Sequence, residues 1–257
     1  MPRPTWTSCW RSASAPRRLP EHPAASAVIA AAGSGERLGA GGPKAFVPLA
    51  GRPLVEWSLE AFARAQSVGP VIVAVPAGCE DRVGDAAAAV VGGDSRSESV
   101  AAGLERVETE LVAVHDAARP LVTAELIDDL VEKLLDRPDA AAVIAAAPLT
   151  DTVKRAREPR PAKGDFPRGG PTVAQTVSRD HLWAAQTPQV FRTQALREAV
   201  DTDPQRIAAA TDDAMLVEKA GGKVLIHPSP TENLKVTTPL DLRIAELLLA
   251  REPNRRS

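Results

Sequence analysis

A glycine-rich stretch near the start of the chain combines residues that suit phosphate chemistry. It runs from Ser26 to Gly51, SAVIAAAGSGERLGAGGPKAFVPLAG, and carries two cations, Arg37 and Lys44. Glycines let the backbone approach a ligand closely and turn successive N–H groups toward it, and the cations add positive charge. The stretch therefore predicts a loop that binds a polyphosphate, with an ordinary Gly-rich turn between a strand and a helix as the alternative.

The spacing excludes two common phosphate-binding loops. A P-loop has Ser or Thr after Gly-Lys, whereas Lys44 stands between Pro43 and Ala45. The dinucleotide fingerprint G-x-G-x-x-G fails because Leu38 occupies the third glycine position. The pattern that remains is A-A-G-x-G-x-R, then P-K, then P-L-x-G-x-P-L. It resembles the pyrophosphorylase-like nucleotidyltransferases, which transfer a nucleotide monophosphate and release pyrophosphate.

Apolar runs that alternate with helical patterns must position this loop. We predict strands at 27–32, 70–76, 90–93, 111–116, 140–147 and 223–227, and helices at 53–66, 95–107, 123–136, 193–200, 211–220 and 238–251. This alternation predicts an α/β fold with a doubly wound, mostly parallel, Rossmann-like sheet. Ligands bind such sheets at the carboxyl ends of the strands, where we expect Gly33, Gly93-Asp94 and His115-Asp116 to meet.

Two segments do not follow the alternation. Residues 148–183 hold several Pro and Gly between the segments PLTDTVKRA and PTVAQTVS, which predicts a protruding β-arm with a looped tip. Such an arm cannot bury both of its faces alone, so we expect it to clasp a second subunit. Residues 1–25 are Arg-rich and have no acid before Glu21, so we expect a disordered tail before a nucleotidyltransferase domain at 26–251. An organelle transit peptide and a non-functional extension both fit the tail.

Composition narrows the possible partners. The 257 residues include 31 Lys+Arg and 33 Asp+Glu, a balance that neither favours nor excludes a polyanionic ligand. No apolar run is long enough to span a bilayer, and we expect neither a membrane nor a nucleic-acid partner. Cys9 and Cys79 have no metal-ligand spacing, which favours a reducing, cytoplasmic setting.

Seven segments together resemble one family, the 2-C-methyl-D-erythritol 4-phosphate cytidylyltransferases of the non-mevalonate isoprenoid pathway. They are AAAGSGERL with GPK, VVGGDSRSESVAAGL, VHDAARPLV, PLTDTVKR, TVSRDHLWAAQTPQVF, ATDDAMLVEKAG and NLKVTTPLDL, in order between residues 27 and 246. The resemblance implies a homodimer that transfers CMP from CTP to 2-C-methyl-D-erythritol 4-phosphate, giving 4-diphosphocytidyl-2-C-methyl-D-erythritol and pyrophosphate. The chain departs from the family's pattern in its tail and in its arm tip. It also has Ser34, Glu36 and Asp213 at positions where we expect the family to vary. None of these three touches a residue assigned to the site.

The chemistry explains why cations matter here. An anionic phosphate must attack the α-phosphorus of another polyanion, so positioning and charge neutralisation supply most of the catalysis. Such a phosphate is already ionised at neutral pH and needs no base, so we interpret His115 as structural. Asp116, at a strand end, suits a Mg²⁺ ion on the triphosphate or sugar hydroxyls, and a turn cap is the ordinary alternative. Arg96 is left to solvent or to a supporting contact, because a neutral base needs no charged partner.

The resemblance also implies a role for each matching residue. The catalytic residues would be Arg37, Lys44, Arg179 and Lys235. The nucleotide would be held by Ala31, Ala32, Gly33, Gly35, Gly93, Asp94 and Ser99. The acceptor substrate would be held by Asp116, Arg119, Thr152, Thr187, Thr211 and Thr237. Arg179 and Thr152 would act from the arm, Arg179 in the neighbouring subunit's site.

Other functions remain open on the sequence. A cytidylyltransferase for another polyol phosphate, such as ribitol 5-phosphate, would use the same scaffold. A molybdopterin-type nucleotidyltransferase fits the arm and the N-L-K-V-T segment less well. A non-catalytic nucleotide-binding protein is disfavoured because Arg37, Lys44, Asp116, Arg179 and Lys235 are present together.

Overall fold

The computed structural model describes residues 22–35, 38, 42–157, 171–201, 207 and 209–251. Its strands are β1 (Ala25–Ala30), β2 (Pro48–Leu49), β3 (Arg52–Pro53), β4 (Val68–Val75), β5 (Ala88–Val91), β6 (Leu111–Asp116), β7 (Ala142–Pro148), β8 (Val153–Ala156), β9 (Val173–Val177), β10 (Trp183–Arg192) and β11 (Val224–Pro228). Its helices are α1 (Leu54–Arg64), α2 (Arg96–Leu104), α3 (Ala124–Leu135), α4 (Thr193–Val200), α5 (Asp213–Lys219) and α6 (Pro239–Arg251). None of these described helices has the length and apolar composition to cross a membrane.

Seven strands form the central sheet in the order β11-β7-β10-β6-β1-β4-β5. All of them run parallel except β10, which is antiparallel to both of its neighbours, β6 and β7. From β1 the chain moves outward through β4 and β5, then returns to place β6 on the other side of β1. This change of direction opens a crevice at the carboxyl ends of β1 and β6, where doubly wound sheets bind ligands.

The core lies on both faces of the sheet. Successive residues of β1 point to opposite sides, so Ile29 packs with α1 and α3, and Val28 packs with α2, α4 and α5. Both are 0% exposed. A third cluster packs α6 against Leu49 of β2 and the first turn of α1. The central strands of the sheet are therefore covered on both faces, as their continuous apolar runs require.

The predicted fold class is confirmed, and the predicted strands and helices occur at slightly shifted bounds. The sequence analysis missed β10, the antiparallel strand between β6 and β7. Its segment contains Pro188 and two glutamines, and because proline cannot donate to a ladder, the segment lacks the usual pattern of a central strand. The structure accommodates Pro188 at an irregularity in the β7 pairing between Ala185 and Gln189.

The β-arm is present as the hairpin of β8 and β9, with most of its residues exposed. Its predicted looped tip falls largely on residues 158–170, outside the described residues, and so does most of the predicted tail, residues 1–21. At the amino end, Ala24 N–H already donates to Ser67 O at 3.0 Å, and β1 begins at Ala25. The first strand therefore starts one residue before the predicted domain boundary at 26.

Candidate active site

A cleft of about 820 Å³ lies at the carboxyl ends of β1 and β6. It is bordered by the loop after β1, the turn between β5 and α2, the end of β6 and the segment before α6. Of the residues predicted for the site, it gathers Ala31, Ala32, Gly33, Gly35, Lys44, Gly93, Asp94, Ser99, Asp116, Lys235 and Thr237. The structure therefore brings the predicted nucleotide residues together at the carboxyl ends of the strands.

The loop after β1 folds back toward Lys44. Lys44 N–H donates to Gly33 O at 3.1 Å, and Lys44 opens the short 3₁₀ turn Lys44–Phe46. Gly35 has a φ of +77°, and a Cβ at this position would lie 3.0 Å from Gly42 O. Glycine is thus required at position 35 by both its backbone conformation and its close neighbours. Arg37 lies outside the described residues.

The turn between β5 and α2 presents the amino end of a helix to the same cleft. Ser95 Oγ accepts from Glu98 N–H at 3.2 Å, and Glu98 Oε2 accepts from Ser95 N–H at 2.8 Å, a reciprocal capping box. Ser99 Oγ donates to Ser95 O at 2.9 Å. Ser95 is therefore the helix cap, and the exposed Asp94 beside it lines the cleft.

A second cleft of about 260 Å³ adjoins the first. The two share Arg96, Asp116 and Lys235, which thus form the wall between them. The second cleft gathers three further predicted residues, Arg119, Thr187 and Thr211, together with Asp212 and glutamines of β10 that the sequence analysis did not assign.

Asp116 is the centre of an ion cluster in this shared wall. Its Oδ1 accepts from Arg96 Nε at 2.6 Å, and its Oδ2 lies 2.8 Å from Lys235 Nζ and 4.0 Å from Arg119 Nε. Burial alone would raise the pKa of Asp116, but the charges and hydrogen bonds of Arg96 and Lys235 hold it far below its usual range. Asp116 is therefore a carboxylate with three cations around it.

Arg96 and Asp213 are the residues that sequence reasoning underestimated. Of the two predicted settings for Arg96, the structure shows the supporting contact, because its Nε donates to Asp116 Oδ1 at 2.6 Å and its Nη1 donates to Asp213 Oδ2 at 2.5 Å. The sequence analysis treated Asp213 as a variable position apart from the site. In the structure Asp213 is 0% exposed and is joined through Arg96 to Asp116. The signal in the sequence was an Arg in the V-G-G-D-S-R-S segment beside a predicted nucleotide contact.

His115 lies behind Asp116 in a fully hydrogen-bonded setting. Thr187 Oγ1 accepts from Asp116 N–H at 3.0 Å and lies 3.1 Å from His115 Nδ1, while His115 Nε2 lies 3.2 Å from Arg119 O. A carbonyl can only accept, so Nε2 carries the proton and Nδ1 accepts from the threonine hydroxyl. Burial, with the nearby arginines, lowers the pKa of His115 to about 3 despite the opposing charge of Asp116. His115 is a neutral structural group, as the sequence analysis interpreted it.

One backbone and one side-chain hydrogen bond hold the segment that carries Lys235. Val236 N–H donates to Ala118 O at 2.8 Å, and Arg119 Nη1 donates to Asn233 O at 2.7 Å. Beyond Lys235, the Thr237 hydroxyl donates to Asp241 Oδ2 at 2.7 Å, in the first turn of α6. Lys235 therefore lies on a segment that is hydrogen-bonded to the loop after β6, which holds it beside Asp116.

The arm residues lie apart from both clefts of their own chain. Thr152 and Arg179 are exposed and line neither cleft. Arg179 Nη1 donates to Thr150 O at the base of the arm. The structure therefore does not bring these two predicted residues to the site within one subunit.

Within the described residues, no group of three or more His, Cys, Asp or Glu side chains could hold a metal ion. The carboxylates that line the larger cleft are Asp94 and Asp116. Mg²⁺ commonly takes only one or two protein carboxylates and completes its shell with phosphate and water. The ionised Asp116 is compatible with that mode of binding, in which substrate phosphates supply the remaining ligands.

A Rossmann-like sheet with a glycine-rich loop and cations gathered between two clefts has the organisation of an α/β nucleotidyltransferase. The family model for 2-C-methyl-D-erythritol 4-phosphate cytidylyltransferase matches residues 25–251. The chain belongs to this family.

Individual relatives and solved structures agree with the family. Enzymes of that name from Deinococcus radiodurans and Streptomyces avermitilis are each 42% identical to the chain, over 88% and 91% of it and over 90% and 95% of their own lengths. The crystal structure of the Thermus thermophilus enzyme has 34% identity and a TM-score of 0.69, covering 87% of this chain and 98% of its own. The 4-diphosphocytidyl-2C-methyl-D-erythritol synthase from Anaerococcus prevotii has 27% identity and a TM-score of 0.73, covering 88% and 96%.

Proposed function

We propose that this protein transfers CMP from CTP to 2-C-methyl-D-erythritol 4-phosphate, giving 4-diphosphocytidyl-2-C-methyl-D-erythritol and pyrophosphate. The observation that carries the proposal is the ion cluster between the two clefts, with Arg96, Arg119 and Lys235 around Asp116. It stands where the phosphate of an acceptor in the smaller cleft would meet the α-phosphate of a nucleotide in the larger one.

The larger cleft suits CTP. Backbone groups of the loop after β1 and of Gly93 can approach a base and ribose closely, and a carbonyl there can accept from the amino group that distinguishes cytosine from uracil. Lys44, and Arg37 by family resemblance, would neutralise the triphosphate. Removing one such donor to transition-state charge typically costs about 3 kcal/mol in barrier height.

The smaller cleft suits a phosphorylated polyol. Arg119 and Lys235 offer positive charge to a phosphomonoester, while Thr187, Thr211 and Asp116 offer hydroxyl and carboxylate partners for alcohol groups. An oxygen of the acceptor phosphate attacks the α-phosphorus of CTP, a new P–O bond forms, and the bond to pyrophosphate breaks. No general base is needed, in keeping with the neutral, buried His115.

We also propose Mg²⁺ as the cofactor. Asp116 would contribute a carboxylate oxygen, and the triphosphate would contribute the rest of the coordination. The ion would supply neutralisation of the negative charge shared by CTP and the departing pyrophosphate. The alternative role for Asp116 is to bind sugar hydroxyls of the acceptor.

The site would be completed by a second subunit. Arg179 and Thr152 lie on an exposed arm and line neither cleft of their own chain, so they act only if the arm reaches a neighbour's smaller cleft. We therefore propose a homodimer that works without nucleic-acid or membrane partners. A cytoplasmic setting fits Cys79, a free thiol among the described residues.

A pyrophosphate-release assay tests the reaction. We expect turnover with CTP plus 2-C-methyl-D-erythritol 4-phosphate, little with ATP or GTP, and loss of turnover in excess EDTA that Mg²⁺ restores. Ribitol 5-phosphate is the comparison acceptor, assayed under the same conditions as 2-C-methyl-D-erythritol 4-phosphate. Faster turnover with it would reassign the acceptor, while CTP binding without turnover on either polyol would indicate a non-catalytic nucleotide-binding protein.

A further inference from the structure

A buried carboxylate beneath the ion cluster has no part in the reaction as described. Asp213 is the first residue of α5, is 0% exposed, and lines neither cleft. Its Oδ2 accepts from Arg96 Nη1 at 2.5 Å, and its Oδ1 has no hydrogen-bond partner among the described residues. The polar contact of this side chain within the described chain is therefore with Arg96.

Arg96 in turn is held at two places on its guanidinium. Nε donates to Asp116 Oδ1 at 2.6 Å, and Nη1 donates to Asp213 Oδ2. A planar fork with a single anchor can rotate about that anchor, whereas two anchors at different nitrogens fix the plane. Asp116 is the same carboxylate whose other oxygen lies 2.8 Å from Lys235 Nζ.

We propose that Asp213 is a positioning residue for cytidylyl transfer: by holding Arg96 it fixes the Asp116 carboxylate, and through it Lys235, in the wall between the two clefts. The proposal rests on the proposed function of that wall. Asp213 lines neither cleft, so its effect passes through Arg96.

Stability alone is a poor explanation for this pair. Removing a carboxylate and a guanidinium from water is costly, and an apolar pair of similar size often stabilises a protein at least as well. The arrangement instead joins three elements, because Asp213 begins α5, Arg96 begins α2 and Asp116 ends β6. Small displacements of reacting groups are expensive for the rate, and a shift of about 1 Å can cost on the order of a hundredfold.

A double-mutant cycle tests the proposal. We expect Asp213→Ala to lower kcat about tenfold and Arg96→Ala about a hundredfold, while the double variant equals Arg96→Ala, because residues that act through one another are not additive. The Kd for CTP, measured by calorimetry without acceptor, should stay within about threefold in Asp213→Ala, since Asp213 itself lines neither cleft and the positioning it provides acts on the transition state. Glu218→Ala, an exposed acid on the same helix, is the matched control and should leave kcat and Tm unchanged.

Three outcomes would overturn the proposal: an unchanged kcat in Asp213→Ala, a double variant whose losses multiply, or a loss that follows only the folded fraction. If Asp213→Ala does not fold, Asp213→Asn decides. It keeps the volume and an acceptor oxygen but loses the charge, so we expect kcat to fall about fivefold, and an unchanged kcat would refute the role. Absence of wild-type turnover with any polyol phosphate would instead refute the proposed function, so the two failures are distinguishable.

Discussion

At the scale of single residues, Lys44 is the sharpest test of the nucleotide cleft. It lines the larger cleft on the turn that follows the glycine-rich loop. We expect Lys44→Ala to lower kcat by about a hundredfold or more with little change in Tm, because a fixed cation is lost from developing negative charge. Lys223→Ala, at an exposed lysine paired with Asp139, is the matched control. Wild-type turnover in Lys44→Ala would assign this lysine to the solvated surface.

His115 gives the protein a specific dependence of stability on pH. Its pKa is about 3 in the fold, against an ordinary value of 6.5. Between these values the unfolded chain binds a proton that the folded chain does not, so the free energy of unfolding falls as the pH falls from about 6.5. The slope from this one group approaches about 1.4 kcal/mol per pH unit.

Urea unfolding at pH 7, 6 and 5 measures that slope. His115→Gln should lower stability overall but show a shallower pH dependence than the wild type, because the titrating group is gone. His181→Gln, at an exposed histidine, should keep the wild-type slope. Parallel curves for wild type and His115→Gln would show that His115 does not carry this linkage.

The sequence indicated the ligand-facing residues of the site better than the residues that support them. Asp116 and Lys235 occur in motifs with recognisable chemistry, and the structure places them in contact. Asp213 lies in the ATDDAMLVEKAG segment, but nothing in that segment indicates its partner, because Arg96 is 117 positions away and only the fold brings the two side chains together. A buried ion pair between distant segments leaves no periodicity in the sequence.

At the scale of elements, the sequence predicted what a local period can reveal. Six strands of the central sheet have apolar runs, and α3, capped by Thr123, occupies the predicted helix at 123–136 to within one residue at each end. β10 was missed because its inner residues include Gln186, Thr187 and Gln189, which face the smaller cleft rather than the core. The strand breaks the hydrophobic pattern at the place where it serves the site.

The cap of α2 yields a prediction about an element that carries the site. Ser95→Ala removes the side-chain acceptor for Glu98 N–H and should cost about 1 kcal/mol, which lowers Tm by about 2–4 °C in a domain of this size. Because Arg96 is the first residue of α2, we also expect kcat to fall a few-fold. Ser95→Asn is the matched control, since asparagine caps as well as serine. Equal Tm values for the Ala and Asn variants would show that the capping box adds nothing.

At the scale of the whole molecule, the start of the fold can be located by truncation. Residues 1–21 lack helical or strand periodicity, and the family match begins at residue 25. We expect their removal to leave kcat and Tm unchanged. Removal of residues 1–26 should abolish folding, because it deletes the buried Ala25 and the Ser26 N–H that donates to Thr109 Oγ1 at 2.8 Å. Loss of activity or Tm on the shorter deletion would show that the tail belongs to the fold.

The last prediction concerns the dimer and the arm. If Arg179 acts in its partner's site, each active site uses Lys44 from one subunit and Arg179 from the other. Arg179→Ala and Lys44→Ala then damage the site from different subunits. In a mixed dimer one site then receives both lesions and the other receives neither. Random exchange makes half of the dimers mixed, so two nearly inactive variants should recover about a quarter of wild-type activity on mixing.

The control mixture combines two single variants whose altered residues both serve the site of their own chain. Lys235 contacts Asp116 of its own chain, and Lys44 lines the same cleft, so Lys44→Ala mixed with Lys235→Ala damages both sites of every mixed dimer. We expect no recovery there, measured by pyrophosphate release after subunit exchange has been verified with tagged chains. If the Arg179→Ala mixture also stays inactive after exchange, Arg179 acts within its own chain or the protein does not share its sites, and the arm is a surface hairpin.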